Sequence, residues 1–389
     1  KTSVANFIWS VLNTAGHIAG LVGTANIRIG NVEMLNPYHM TMPGRFILQG
    51  LLKRMADVGC KFAVVETTSE GIKQWRHFGI AYDVAVFTNL HPEHLEAHGG
   101  DFLNYKQAKG KMFKALRNGS RKTIGGKEIK KIIIANYDDL HKEYFINFPA
   151  DKKITFGTIE GADFRADKIK NTGDGLEFFV DPMLYKINIL GKFNVYNALP
   201  AITVGSVFEI SPAVIAQGLQ NLKVIPGRIE KINEGQNFLV FVDYAHEKEG
   251  MNAVLDTARE LTAGRVIVLL GAEGGGRDKA KRPVLGEISA KKADFVVISN
   301  VDPYEDDPKE ICEDIAEAAE NFGKIRNLDL FVIEDRREGI RKALSLANKN
   351  DVILITGKGA EQSIIIGSKH FPWDDRVVVR EELNKILKK

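Results

Sequence analysis

The sequence predicts an α/β protein made of two doubly wound α/β domains, each a largely parallel sheet between layers of helix. Three observations carry this. The chain has 389 residues, more than a single hydrophobic core ordinarily serves. Short, continuous apolar runs such as DVAVFTNL, KIIIAN, RVIVLLG, FVVISN and DVILITG read as strands buried on both faces, because a strand with one wet face would alternate. Stretches of helical period lie between them, and strands joined through helices run parallel. The domains are expected at 1–224 and 225–389, meeting near Pro226-Gly227.

Residues 2–15 place Val4, Ile8, Val11 and Leu12 on one face of a helix, with Gly16 as its stop. Lys1-Thr2-Ser3 opens that helix and matches the end of a GxxGK[ST] phosphate loop, in which lysine meets phosphate and the hydroxyl meets Mg²⁺. The glycines of such a loop are missing and the chain begins without methionine, so the N-terminus is expected to be cut. A KTS tripeptide by itself is common, and a plain helix start is the other reading. A turn at Pro43-Gly44 precedes an amphipathic helix. A buried strand at 62–65 ends in Glu66, and DVAVFTNL delivers FTNLHPEHLEAHGG at its C-terminal end. KIIIANYD is a third strand.

Residues 151–190 change to short runs separated by Gly/Asp turns, expected as a small hairpin-rich patch, and GKFNVYNALPAITVGSVF starts an Ala/Val-rich helix. The second half repeats the alternation with strands in FLVFVDYAH, RVIVLLG, FVVISNVD, LFVIED and DVILITGKG. Helices are expected near 251–262, 283–291, 308–321 and 336–347, the third with Asp307 as N-cap and Pro308 in first position.

Composition narrows the class. Apolar residues make up 44% and charged residues 26%, with a net charge of +3 and both signs dispersed. That is ordinary for a globular protein and gives no nucleic-acid or membrane surface. The two cysteines, Cys60 and Cys312, form no CxxC pair, which excludes a four-cysteine zinc site and a disulfide scaffold and suits a cytoplasmic location. Cys60, Trp75, Tyr105 and the phenylalanines are expected in the core.

One residue is anomalous. On a helix over 102–113, Phe102, Tyr105, Met112 and Phe113 share a face, and Lys109 falls in the middle of it. A lysine there needs an anionic partner, a depressed pKa or covalent modification. Ligands of parallel sheets bind beyond the carboxyl ends of the strands. Glu66, His94 and a phosphate loop before Thr2 all fall at those ends, where His94 and Glu66 suit a hard divalent metal together with a hydroxyl such as Thr2. A capped loop with solvated histidines is the alternative. The loop GAEGGGRDKAKRP offers backbone N–H groups with Arg277, Lys279 and Arg282 to an anion, or is simply flexible. Asp243 and His246 at a strand end are either a site pair or caps.

The ordered motifs KTS, TMP (41–43), ETTSEGIKQWR, DVAVFTNL, HPEHLEAHG, YKQAKGKMF, GKFNVYNA, PGRIE, VDYAH, GGGRDKAKRP and GKGAE resemble the Mur ligase family. Within it they are most similar to the amino-acid-adding UDP-N-acetylmuramoyl-dipeptide ligases, the MurE-like branch. The resemblance runs through nearly the whole chain. It implies a P-loop-type ATP-binding domain over 1–224, without the start of its loop, and a Rossmann-like C-terminal domain over 225–389.

It further implies an ADP-forming, ATP- and Mg²⁺-dependent amide ligase of peptidoglycan precursor synthesis, acting in cell-wall biogenesis, cell shape and division. The carboxylate of a UDP-N-acetylmuramoyl-peptide would take the γ-phosphoryl group, and an amino acid would attack the acyl phosphate. The lysine matching Lys109 is carbamylated by CO₂ in such ligases, and a neutral amine on an apolar face is the form that reacts. By the same resemblance Lys1 meets the phosphates, with Thr2 and Ser3 completing the motif, and Thr2, Glu66, His94 and the Lys109 carbamate serve the metal. Asn194 and Asn197 lie on the adenine side, Arg228 reaches nucleotide phosphates, and Asp243, with His246 beside it, meets the ribose. Thr41, Thr68, Gln74 and Arg76 hold the muramoyl-peptide, while Arg277, Asp302, Gly357 and Glu361 form the amino-acid pocket. A monomer is expected, with no nucleic-acid or membrane partner.

The chain departs from the family pattern in places. SSH reads Thr68-Ser69-Glu70, DHLD reads Glu93-His94-Leu95-Glu96, DYAHTP continues as Glu247-Lys248, and GKGHE has Ala360 for histidine. The diaminopimelate signature DNPR reads Val301-Asp302-Pro303-Tyr304. Tyrosine cannot grip a distal carboxylate bidentately as arginine does, which disfavours diaminopimelate and leaves lysine or another amino acid open. The run Glu305-Asp306-Asp307 would hold a lysine ammonium or be a solvated helix start. The competing functions are a folylpolyglutamate-synthase-like ligase and a non-catalytic nucleotide-binding scaffold.

Overall fold

Helix α1 (Thr2–Thr14) is buried almost all round, and Gly16, at φ 82°, turns the chain out of it, as expected. A computed structural model describes residues 1–93, 95–124 and 126–388, which divide into two compact units, Lys1–Lys223 and Val224–Lys389.

In the first unit α1 is followed by β1 (Ala19–Val22), β2 (Asn26–Ile29), β3 (Val32–Leu35), α2 (Arg45–Asp57), β4 (Phe62–Val65) and the short α3 (Ser69–Lys73). Strand β5 (Val84–Phe87) leads through a 3-10 turn at Glu96–His98 into α4 (Phe102–Asn118). After a small hairpin, β6 (Thr123–Ile124) and β7 (Lys127–Glu128), come β8 (Ile132–Asn136), α5 (Lys142–Ile146) and β9 (Lys152–Gly157). The unit ends with β10 (Phe164–Asn171), β11 (Leu176–Val180), β12 (Met183–Ile187), α6 (Phe193–Val207) and α7 (Pro212–Asn221).

These strands form a four-stranded sheet, β3-β2-β1-β4, with β1 and β4 parallel, and a six-stranded sheet, β12-β11-β10-β9-β8-β5, parallel from β10 to β5. Val65 and Ile80 pack into the apolar clusters of both. Helix α1 lies against α6 and α7, while α4 packs on β5 and α5 on β8.

Residues 151–190 hold hairpins as expected, β10-β11 and β11-β12 pairing antiparallel, and β9 and β10 join them to the parallel sheet. Two expectations change here. Strand β4 is half-buried with Ala63 exposed, because β1 is its only partner among the described strands. Trp75 is 56% exposed and carries φ 58°, a conformation bulky residues seldom adopt, instead of lying in the core.

The second unit comprises β13 (Glu230–Ile232), β14 (Leu239–Val242), α8 (Lys248–Leu261), β15 (Val266–Leu270), α9 (Lys281–Lys292) and β16 (Phe295–Ile298). It continues with α10 (Pro308–Asn321), β17 (Leu330–Val332), α11 (Arg336–Ser345), β18 (Val352–Ile355), β19 (Ser363–Ile366), β20 (Lys369–Pro372) and α12 (Asp375–Leu387). The sheet runs β13-β14-β18-β15-β16-β17, parallel except for β13.

Alternate residues of each strand serve opposite faces. Val240, Val242, Ile267, Leu269, Ile353 and Ile355 pack with Ile340 and Leu344 of α11 and Val379 and Leu383 of α12. Helices α8, α9 and α10 pack side by side elsewhere on the sheet. Asp307 caps α10 by accepting from Lys309 N at 2.9 Å. A buried ion pair, Arg336 to Asp375 at 2.6 Å, joins the N-termini of α11 and α12, and the same guanidinium donates to the carbonyls of Asn300 and Thr356. No helix among the described residues is long and apolar enough to cross a membrane.

Candidate active site

In the first unit the carboxyl ends of the strands gather the residues singled out by the sequence. The buried Glu66, just past β4, accepts from the Thr2 hydroxyl at 2.9 Å. It also accepts from the Thr24 hydroxyl at 3.0 Å and from Thr24 N at 2.8 Å. Thr24, between β1 and β2, was not among the sequence candidates; its only signal is a polar residue in a turn between two apolar runs. Its hydroxyl also meets that of Thr41 at 2.8 Å.

Lys109 projects from α4 over the Tyr105 ring, its ammonium 4.7 Å from the ring centre. Burial, assisted by the charge of Lys1, brings its pKa from 10.5 down to about 7, against the opposing pull of Glu93 and Asp139. Lys111 takes an open side of the helix, as its position predicts, while Lys106 is half-buried with its ammonium 5.0 Å from the centre of the Tyr144 ring. Lys1, Thr2, Glu66 and Lys109 therefore share one neighbourhood. His94 lies outside the described residues.

Among the described residues no group of three or more His, Cys, Asp or Glu is arranged to hold a metal. The Glu66 carboxylate and the Thr2 hydroxyl are nonetheless adjacent hard oxygen donors, and those suit Mg²⁺.

The positions matched to the muramoyl-peptide cluster partly. Arg76 donates to the carbonyl of Met42, tying it to the 41–43 segment, and Thr68 caps α3 by accepting from Gly71 N at 3.1 Å. Gln74 is engaged by Glu70 at 3.1 Å. At the start of α6, Asn197 donates to Asn194 Oδ1 at 2.8 Å while the buried Asn194 donates to Leu190 O at 2.6 Å. Asn197 is the member of that pair with exposed surface. Ser3 is buried in α1.

The second unit has its own pole at the carboxyl ends of β14, β15, β16 and β18. Asp243 accepts from Ile229 N and Ala245 N, both at 2.7 Å, so it pins the turn that carries Arg228. Burial pushes its carboxyl up, against the attraction of Arg228 and those two amides. The Arg228 guanidinium lies 4.4 Å from the Tyr244 ring centre, and His246 Nδ1 donates to Tyr244 O at 2.7 Å. Only glycine fits at 227, since a Cβ there would lie 2.2 Å from Ala360 N. This close approach joins the PGR and GKGAE motifs.

Asp302 and Glu361 both bind Lys358, a residue the sequence reading passed over because nothing in GKGAE marks it as buried. Gly357, at φ 107°, begins that turn.

Of the three cations expected in the 271–283 loop, Arg282 is unavailable. It is fully buried and held by Asp306 at 3.3 Å and Asp314 at 2.8 Å. Lys279 reaches Glu310 at 3.7 Å, and Arg277 is exposed, 5.8 Å from the centre of the Tyr304 ring. Tyr304 itself has φ 53°, and its ring lies over Gly275, where a Cβ would come within 2.6 Å. With Asp306 on Arg282 and Asp307 capping α10, two of the three acids at 305–307 have structural work.

Residues 1–205 match the description of the Mur ligase middle domain, and residues 227–359 that of the Mur ligase, glutamate ligase domain. Over 387 residues the chain is 38% identical to a UDP-N-acetylmuramoyl-L-alanyl-D-glutamate--2,6-diaminopimelate ligase of Caldanaerobacter subterraneus, covering 98% of this chain and 76% of the relative. It is 35% identical to a UDP-N-acetylmuramyl-tripeptide synthetase of a Roseiflexus species, with 99% and 77% covered. A solved diaminopimelate ligase of the same description aligns with a TM-score of 0.63 at 26% identity, over 100% of this chain and 77% of that one. The chain belongs to the Mur ligase family, whose members form amide bonds at the expense of ATP. Its relatives set it in the MurE-like branch.

Proposed function

We propose that the protein joins an amino acid to a UDP-N-acetylmuramoyl-dipeptide in peptidoglycan precursor synthesis, as a cytoplasmic monomer, with functional domains at 1–224 and 225–389. The observation that carries the reading is the meeting of Thr2 and Glu66 at 2.9 Å beside an abnormally acidic Lys109, in a chain aligned almost throughout with such ligases. A nucleotide-binding scaffold would need nucleotide contacts but no such lysine.

The chemistry follows from charge. The dipeptide carboxylate attacks the γ-phosphorus of ATP, its oxygen forming the new P–O bond as the β–γ bridge breaks and ADP departs. The amine of the amino acid then attacks the acyl carbon, loses a proton, and phosphate leaves. Such transfers depend on positioning and on neutralising developing charge. Lys1 faces the phosphates; Asn194, Asn197, Asp243 and His246 hold the nucleoside, and Arg228 adds a phosphate contact. Thr41, Thr68, Gln74 and Arg76 orient the dipeptide. Glu66, Thr2, His94 and a carbamate on Lys109 would hold Mg²⁺, which when bound neutralises phosphate charge. The Lys109 ammonium first gives up one proton, and CO₂ then adds to the neutral amine with loss of a second, so that a cation becomes an anion at that position.

Arg277, Asp302, Gly357 and Glu361 receive the amino acid. Tyr304 stands where the family signature has arginine, which disfavours an amino acid with a second, distal carboxylate and leaves lysine or another amino acid open. The folylpolyglutamate-type reading is disfavoured by Asp243-Tyr244-Ala245-His246, which follows the muramoyl-ligase pattern.

The test is phosphate release with ATP, Mg²⁺, UDP-muramoyl-dipeptide and single amino acids. Release requiring both the dipeptide and one amino acid supports the reading, and ATP binding without release for any amino acid removes it.

A further inference from the structure

Lys358 is fully buried, yet both of its ionic partners are residues of the amino-acid pocket. Its ammonium lies 2.8 Å from Asp302 Oδ2 and 2.6 Å from Glu361 Oε2. The remaining oxygens are also engaged: Asp302 Oδ1 accepts from Ile365 N at 2.8 Å, and Glu361 Oε1 accepts from the Tyr244 hydroxyl at 3.1 Å. Burial alone would lower the affinity of Lys358 for its proton, but the charges of Glu361 and Asp302 outweigh it and keep the residue protonated. Two carboxylates against one ammonium leave a single surplus negative charge.

Glu361 is the member of the trio that keeps surface, its side chain 21% exposed against 0% for Lys358 and 7% for Asp302. The geometry comes from the backbone: Gly357 and Gly359 sit at φ 107° and 56°, so the lysine is delivered from a turn with a glycine on each side.

We propose that Lys358 is a positioning residue for the amino-acid substrate. It clamps Asp302 and Glu361 in one arrangement, so that Glu361 presents the surplus charge to an ammonium group of the incoming amino acid. This rests on reading the pole as the amino-acid pocket. Without the lysine, two carboxylates in a low-dielectric site would repel each other, and one would protonate or swing away. With it, the ligand meets a Glu361 carboxylate already fixed by two donors, the Lys358 ammonium and the Tyr244 hydroxyl, and preorganisation of that kind lowers the cost of binding.

The experiment compares wild type with Lys358→Met and Lys358→Arg in the phosphate-release assay, varying one substrate at a time, with circular dichroism to establish folding. Removing one partner of a buried charged pair should raise KM for the amino acid by about thirtyfold or more. KM for ATP and kcat at saturating amino acid should change little, and Lys358→Arg should recover part of the loss. A folded Lys358→Met with unchanged amino-acid KM, or with all KM values raised together, overturns the proposal. If Lys358→Met does not fold, Lys358→Arg decides: a selective rise in amino-acid KM upholds the role, and an unchanged value overturns it. Wild type that turns over no amino acid overturns this proposal together with the ligase reading, whereas an active wild type indifferent to Lys358 overturns this proposal alone.

Discussion

Thr2 and Glu66 are 64 positions apart in the chain, and the hydroxyl of one donates to the carboxylate of the other at 2.9 Å. The first turn of α1 and the end of β4 thereby present two oxygens side by side. Glu66→Gln keeps the shape but removes the charge. It should reduce phosphate release by about a hundredfold, within the range seen when a group aimed at a metal or developing charge is lost. Thr2→Ala should cost less and recover partly as Mg²⁺ is raised. Full activity in Glu66→Gln would remove this pair from the machinery.

Lys109 should take up CO₂. The uncharged amine is the reactive form, and its fraction grows above the pKa. Labelling of the metal-free protein with ¹³C-bicarbonate should therefore climb as pH rises through about 7 instead of near 10.5. Lys109→Ala should lose phosphate release and regain some with short carboxylic acids, which replace the missing anion. An unlabelled Lys109 alongside full activity would refute the carbamate.

Tyr304 should decide against a distal carboxylate. Tyr304→Arg restores a guanidinium able to make two parallel bonds, and it should shift kcat/KM toward diaminopimelate by about tenfold or more, the worth of one good charged contact. Competition between diaminopimelate and lysine, measured in wild type and variant, checks this. A wild type that already prefers diaminopimelate would show that Arg277 or another group holds the distal carboxylate.

Strands β14 to β18 of the second unit and helices α8 to α11 were legible because those strands are continuous apolar runs and the helices are bounded by polar turns; α10, with Asp307 and Pro308 at its start, is the clearest case, whereas β13, with Glu230 and Lys231, and the exposed β20 give no such run. Lys109 stood out for the same reason, as a charge inside an apolar stripe. Other features were hidden because they depend on distant parts of the chain. Strand β4 is apolar in sequence, but its exposure follows from having one partner strand. Arg282 and Lys358 look like solvated cations in Gly-rich loops, and only the folded chain brings Asp306 and Asp314 to the one and Asp302 to the other. Trp75 reads as core, and no local pattern announces a left-handed backbone at that position.

Glu382 should give acid sensitivity of a defined kind. Burial would raise its pKa, but bonds from Arg341, Lys385 and Arg337 dominate and lower it from 4.5 to about 2. A carboxylate held below its unfolded value stabilises the fold fully above pH 4.5, and that contribution fades as pH falls toward about 2. Thermal melts of wild type and Glu382→Gln should differ at neutral pH and converge across that interval. A difference that persists at the acid end would mean packing, not charge, is responsible.

The Arg336–Asp375 pair gives the last helix a significance its terminal position hides. Asp375 is the first residue of α12, and it answers a guanidinium enclosed between the ends of β16 and β18. Trimming the chain before residue 375 would strip Val379 and Leu383 from the core and also leave a cation marooned inside the protein, at a cost of about 3–5 kcal/mol for the charge alone. The C-terminal segment is in that sense a keystone, and a shortened chain should fail at the sheet before it fails at the surface.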